Sequence, residues 1–120
     1  MSSEDFYRNL SDLVEKINGE TKIFEDIKEW IGQYDGKIIG FNLPDKKFYL
    51  AFDSDRVEMY EGEPASFDII LIGDTETLTD ILFSGSKQIR TAVKQGKIGM
   101  WGNYHELYKL EEILEKIRKI

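Results

Sequence analysis

The sequence predicts an α+β domain in which helices pack on one face of a single sheet. Two observations lead there. Apolar residues keep helical spacing up to Gly32, alternate from Ile39 to Met59, and after Gly73 divide into short helices, one more strand and a long closing helix. Helix-start and turn residues stand at each change of period, so local chemistry agrees with the patterning.

Phe6, Leu10, Leu13, Val14 and Ile17 repeat at helical spacing, with Gly19 placed to end the first helix. A second helix is expected from about Thr21, with Phe24, Ile27, Trp30 and Ile31 on one side and Gly32 near its end. In KIIGFNLPDKKFYLAFDSDRVEMYEG the alternating sets are Ile39, Phe41 and Leu43, then Phe48, Leu50 and Phe52, then Val57 and Met59. The breaks PDK and DSD are turn chemistry, because Asp and Ser bond their own backbone and Pro presets φ. This stretch predicts a three-stranded antiparallel meander.

SFDIILIG predicts a fourth strand with Phe67, Ile69 and Leu71 facing the core. Asp74 is placed to cap a helix carrying Leu78, Ile81 and Leu82. After the break at SG, Ser86 can start a further helix through Ile89, Ala92 and Val93 that ends at Gly96. The run from Lys97 to Trp101 predicts the fifth strand, with Ile98 and Met100 on one face and Lys97, Gly99 and Trp101 on the other. Asn103 with Glu106 three residues later reads as a capping box. The last helix then carries a wide stripe of Leu107, Leu110, Ile113, Leu114, Ile117 and Ile120. No linker, repeat or low-complexity tract interrupts the chain, so residues 1–120 are expected to form one domain.

A formal net charge of −7 argues against general nucleic-acid binding, which needs clustered Lys and Arg. Absence of cysteine rules out disulfides and thiol chemistry and points weakly to a reducing compartment. The opening MSSEDFYRNL is acidic and has no long apolar stretch, so neither a signal peptide nor a membrane span is expected there, and the expected location is cytoplasmic. The lone histidine, His105, has no second ligand beside it and reads as a surface residue. FSGSK is not a nucleophile elbow, and no phosphate-binding loop occurs. Glu111 and Glu112 read as a pair on a solvated helix face. Neither catalysis nor a cofactor is expected.

AVKQGKIGMWGN followed by an amphipathic helix resembles the closing motif of the sterol-carrier-protein lipid-transfer domains. So does what precedes it: a strand opening with Asp68, a short helix with LTDILFSG, and a second helix running into QGK. The resemblance implies a five-stranded, mostly antiparallel sheet covered on one face by helices. An apolar tunnel between the layers would hold a fatty acid, acyl-CoA, sterol or isoprenoid lipid. It also implies that Phe83, Ile89, Ala92, Val93 and Gln95 line the tunnel and that Leu107, Leu110 and Leu114 lie on the helix closing it. Met100, inward on the last strand, joins this set. The chain departs from the family pattern in lacking Pro between the two central helices and in carrying Ile70 and Ile72 where Thr is usual. Apolar walls suit a packed core as well as a cavity, so a filled core remains the competing reading of the same stripes.

Two surface features stand beside this. From Ile81 to His105 there is no Asp or Glu, while Lys87, Arg90, Lys94 and Lys97 all fall inside. Lys87, Arg90 and Lys94 at i, i+3 and i+7 share a helix face, either a solvated one or a cationic rim for a lipid headgroup or a transient membrane contact. By pleat parity Ile38, Ile70, Ile72 and Trp101 point away from the helices. A contiguous apolar group there suggests a partner surface or a homodimer. The rival to a lipid carrier is therefore an interaction module or accessory subunit with a filled core, acting through this outer sheet face.

Overall fold

The computed structural model describes residues 2–120. Helices α1 (Ser3–Asn18) and α2 (Ile23–Ile31) precede the meander β1 (Lys37–Asn42), β2 (Lys47–Phe52) and β3 (Val57–Glu61). Strand β4 (Ile69–Ile72) leads into α3 (Thr75–Thr79), which continues as a π-helical turn over Asp80–Ser84. Helix α4 (Ile89–Lys94), strand β5 (Gly99–Gly102) and helix α5 (Glu106–Arg118) complete the chain. The sheet order is β3-β2-β1-β4-β5, antiparallel except that β1 and β4 run parallel with Ile39 opposite Ile69.

Alternation sorts the sheet into two faces. Ile39, Phe41, Leu50, Phe52, Ile69 and Leu71 point inward and join one apolar cluster with Phe6, Leu10, Ile27, Leu78, Leu107 and Leu110 from the helices. The meander turns are as the sequence implies: Asp53 accepts backbone N–H bonds from Asp55 and Arg56, both at 2.8 Å. Asn18, the last residue of α1, bonds both backbone groups of Val57, at 2.8 and 2.9 Å, and so fastens the helix to the edge strand.

Helix starts follow local chemistry in two cases and not in two others. Ser2 and Asp5 form a reciprocal capping box on α1, and Asp74 caps α3 by accepting from the Thr77 N–H at 2.8 Å. That bond and a second from the Thr77 hydroxyl hold the Asp74 carboxyl below the ordinary carboxylate range. Ser86, by contrast, does not start a helix. Its hydroxyl turns back to the Asp80 carbonyl, and α4 begins three residues later. Nor does Asn103 cap α5: its side chain accepts from the His105 N–H in a local turn, and Glu106 is engaged elsewhere.

Three further expectations are corrected by burial. Phe67 precedes β4 and is 42 % exposed, because Asp68 takes the end of the ladder by accepting from the Ile38 N–H at 2.7 Å. Ile120 lies beyond the end of α5 and is exposed. Ile70 points to the outer face as parity requires, yet it is only 4 % exposed. Its neighbour across the ladder is Gly40, and Ile70 fills the space that a side chain at that position would occupy.

Candidate functional site

The layer between the inner sheet face and helices α3 to α5 is where the sequence places a ligand. Ile89 and Ala92 of α4 and Leu107, Leu110 and Leu114 of α5 are buried in the apolar cluster. Phe83, Val93 and Met100 are partly buried against it, with Phe83 edge-on to Phe6 at 5.4 Å between ring centroids. Met100 stands opposite Leu71 in the β4–β5 ladder. Gln95 departs from this group: it is exposed at the end of α4, and its side-chain carbonyl accepts from Lys87 Nζ at 2.8 Å.

These side chains pack against one another. A cavity of about 30 Å³ touches Ile81, Ile89 and Leu114, room for about one water and far less than an alkyl chain needs. Larger clefts open to solvent elsewhere: one of about 620 Å³ between α1 and the sheet beside Tyr7, Asp45 and Phe48, and others of about 570 and 360 Å³ beside Tyr34, Lys37 and Asp68 at the end of the sheet. At α4 and α5 the helical layer therefore stands closed over the sheet.

Polar contacts hold it closed. Glu111, expected on a solvated face, is buried, and its carboxylate accepts from the Arg90 N–H at 2.7 Å and from Arg90 Nε at 3.4 Å. It thereby serves the first turn of α4, which has no capping side chain of its own. The Arg90 guanidinium also lies over the Tyr108 ring, 4.1 Å from its centroid. Arg118, at the other end of α5, donates from Nη1 to the Leu82 carbonyl at 3.1 Å. Arg118 also crosses Gly85, whose φ of 65° and lack of a side chain both suit the close crossing. A π-helical turn lengthens the backbone repeat and often marks a functional segment. Here it carries Ile81, Leu82 and Phe83 under that clasp.

At the opposite end of α5 lies a cluster that sequence reasoning missed. Lys37 Nζ and Glu106 Oε2 are 2.9 Å apart with side chains only 9 % and 13 % exposed. Trp30 Nε1 donates to the same oxygen at 3.0 Å, so α2, β1 and α5 meet at one carboxylate. A signal was present: Lys37 shares the inward face with Ile39 and Phe41, and a charge on that face needs a partner.

The cationic rim is reduced by these contacts. Lys87 is held by Gln95 and Arg90 by Glu111, and Lys87 lies before α4 rather than on it. Lys94 sits with its Nζ 6.0 Å from the centroid of the Tyr104 ring. On the outer sheet face Trp101 is 59 % exposed and stands opposite Ile70, while Ile38 and Ile72 are half-buried. Tyr49 and Tyr60 stack on the same face, 5.1 Å between centroids, a pair the sequence reading did not include. Among the described residues no group of three or more His, Cys, Asp or Glu is placed to hold a metal ion. No described helix is long and apolar enough to cross a membrane.

The sequence model of the SCP-2 sterol transfer family matches residues 11–115. No curated protein sequence matches the chain. Among solved structures, the sterol carrier protein domain 2 of Helicoverpa armigera is 21 % identical, with a TM-score of 0.66 over 95 % of this chain and 88 % of that one. Sterol Carrier Protein-2 like-3 from Aedes Aegypti is 16 % identical, with a TM-score of 0.66 over 92 % of this chain and 97 % of its own. The fold also recurs inside a larger enzyme. A sec-alkylsulfatase from Pseudomonas sp. is 19 % identical at a TM-score of 0.55, the match spanning 68 % of this chain but only 13 % of the sulfatase.

Proposed function

The chain belongs to the SCP-2 sterol transfer family, and from that premise we propose that it binds and carries one elongated apolar ligand between its sheet and helices, without chemistry. The observation that carries this reading is the family match over residues 11–115. The apolar lining formed by Ile89, Ala92, Leu107, Leu110 and Leu114 agrees with it. The ligand class is a fatty acid, acyl-CoA, sterol or isoprenoid lipid. Burying each CH₂ contributes about 0.8 kcal/mol, so a sixteen-carbon tail supplies on the order of 10 kcal/mol before the losses of ordering.

That energy has work to do, because the layer is closed. Uptake parts α4 and the π-helical turn from α5, which breaks the Glu111–Arg90 and Arg118–Leu82 contacts while the Lys37–Glu106 end stays joined. Native mass spectrometry of gently purified protein tests the reading. One lipid per chain, displaced by a fluorescent fatty-acid probe, is the expected result. A bare chain that takes up no apolar probe of any class would refute it.

A second reading places function on the outer sheet face. It is favoured by exposed Trp101 on one edge strand and the Tyr49–Tyr60 stack towards the other, in one row across the sheet with Gly40 and Ile70 between them. A two-fold contact would set this patch against its own copy, so one substitution acts twice. Trp101→Lys is then expected to halve the light-scattering mass and leave probe affinity unchanged, since the ligand lies on the other sheet face. A wild-type protein that stays monomeric at high concentration rules the dimer out.

A further inference from the structure

Tyr104 stands in the turn between β5 and α5, and its ring packs against the apolar cluster. Its hydroxyl is buried, and no protein group hydrogen-bonds it; among the described residues it is the buried side-chain polar atom left without a partner. Buried polar groups are rarely left unpaired, because an unmade bond forfeits the desolvation already suffered. The surroundings add a charge. Lys94 Nζ lies 6.0 Å from the Tyr104 ring centroid, in a stretch from Ile81 to His105 that contains no Asp or Glu. The neighbouring cations are engaged, Arg90 by Glu111 and Lys87 by Gln95, whereas no carboxylate among the described residues lies within 4.0 Å of Lys94. One side chain at the margin of the apolar layer thus carries a buried hydroxyl without a partner and has over its ring face a cation that no carboxylate pairs.

We propose that Tyr104 and Lys94 receive the polar end of the carried ligand, and that this end is an anionic oxygen group, a carboxylate or a phosphate. The inference rests on the carrier reading and narrows it. The alkyl chain runs among Ile89, Ala92 and Leu107. The hydroxyl donates to one anionic oxygen and the ammonium balances the charge. Neutral lipids fill the same apolar space and leave both groups unanswered.

The test compares hexadecanoic acid, hexadecyl phosphate and methyl hexadecanoate by competition with one fluorescent probe at neutral pH. The wild-type protein is expected to bind at least one of the two anionic ligands roughly tenfold tighter than the ester, the scale of a hydrogen bond to a charged group. Which anion wins separates a carboxylate source from a phosphate source. Tyr104→Phe and Lys94→Gln should each shrink the preference several-fold while ester affinity stays the same. The Tyr104→Phe protein should unfold at the same temperature as wild type or a higher one, because it loses a group that has no partner. Equal affinity of wild type for anions and ester overturns the inference and leaves the carrier reading intact, as does an unchanged preference in Tyr104→Phe. A lowered unfolding temperature with unchanged preference assigns the hydroxyl a structural bond and also overturns it. Failure of all three ligands to bind removes the carrier reading and this inference together.

Discussion

Glu106→Ala is expected to destabilise the protein by about 3–5 kcal/mol, the scale for removing one partner of a buried ion pair. Lys37 would keep its mostly buried charge with the Tyr34 ring 5.3 Å from its Nζ and Asp68 on the same cleft wall, and the Trp30 N–H would lose its acceptor. Loss on this scale is a large part of the 5–15 kcal/mol that holds a typical domain together. The pair itself contributes far less than that, because both ions had to leave water. Lys37→Met combined with Glu106→Leu should therefore recover most of the stability. Urea unfolding of the single and double variants measures both. A single variant within about 0.5 kcal/mol of wild type, as for an ordinary surface change, would mean that the site is hydrated and the pair is not buried.

The second large effect is expected at Leu110, a fully enclosed residue of α5. Leu110→Glu places a carboxyl inside the apolar cluster, where burial raises a carboxyl pKa by up to about 3–5 units. The penalty is about 3.5 kcal/mol at pH 7 and reaches about 4–7 kcal/mol only above the folded pKa, with the lost leucine packing added to it. The folded-state pKa then lies above the unfolded one. The penalty is absent below the unfolded value, grows as pH rises between the two, and is complete above the folded value. The variant should be largely unfolded at pH 7 and regain structure near pH 4, whereas Leu110→Met should stay within about 1.5 kcal/mol of wild type. Circular dichroism at the two pH values checks this. A Leu110→Glu protein that is folded at pH 7 and binds the fatty-acid probe normally would show that α5 does not wall the ligand layer.

Periodicity and turn chemistry alone determined the elements and their inward faces. Ile39, Phe41, Leu50 and Phe52 alternate because a half-buried strand has a period of two, and that needs no partner to be read. Asp74 announced α3 because its carboxylate serves an N–H three residues away. The motif from Phe67 to Leu114 carried the family. Only the tertiary structure decided what depends on residues far apart in sequence. The parallel pairing of β1 with β4 joins segments thirty residues apart, and nothing local records it. Glu106 reads locally as a capping residue, but Trp30 and Lys37 compete for it and offer a buried, charge-balanced bond in place of an exposed one. Glu111 reads as half of a solvated pair until α4, lacking its own cap, draws it inward. Ile70 follows its parity and still escapes solvent, because Gly40 beside it has no side chain and the vacancy lies on another strand. The buried hydroxyl of Tyr104 is the extreme case: its meaning is the partner it lacks, and an unpaired group becomes visible only when every neighbour has been placed.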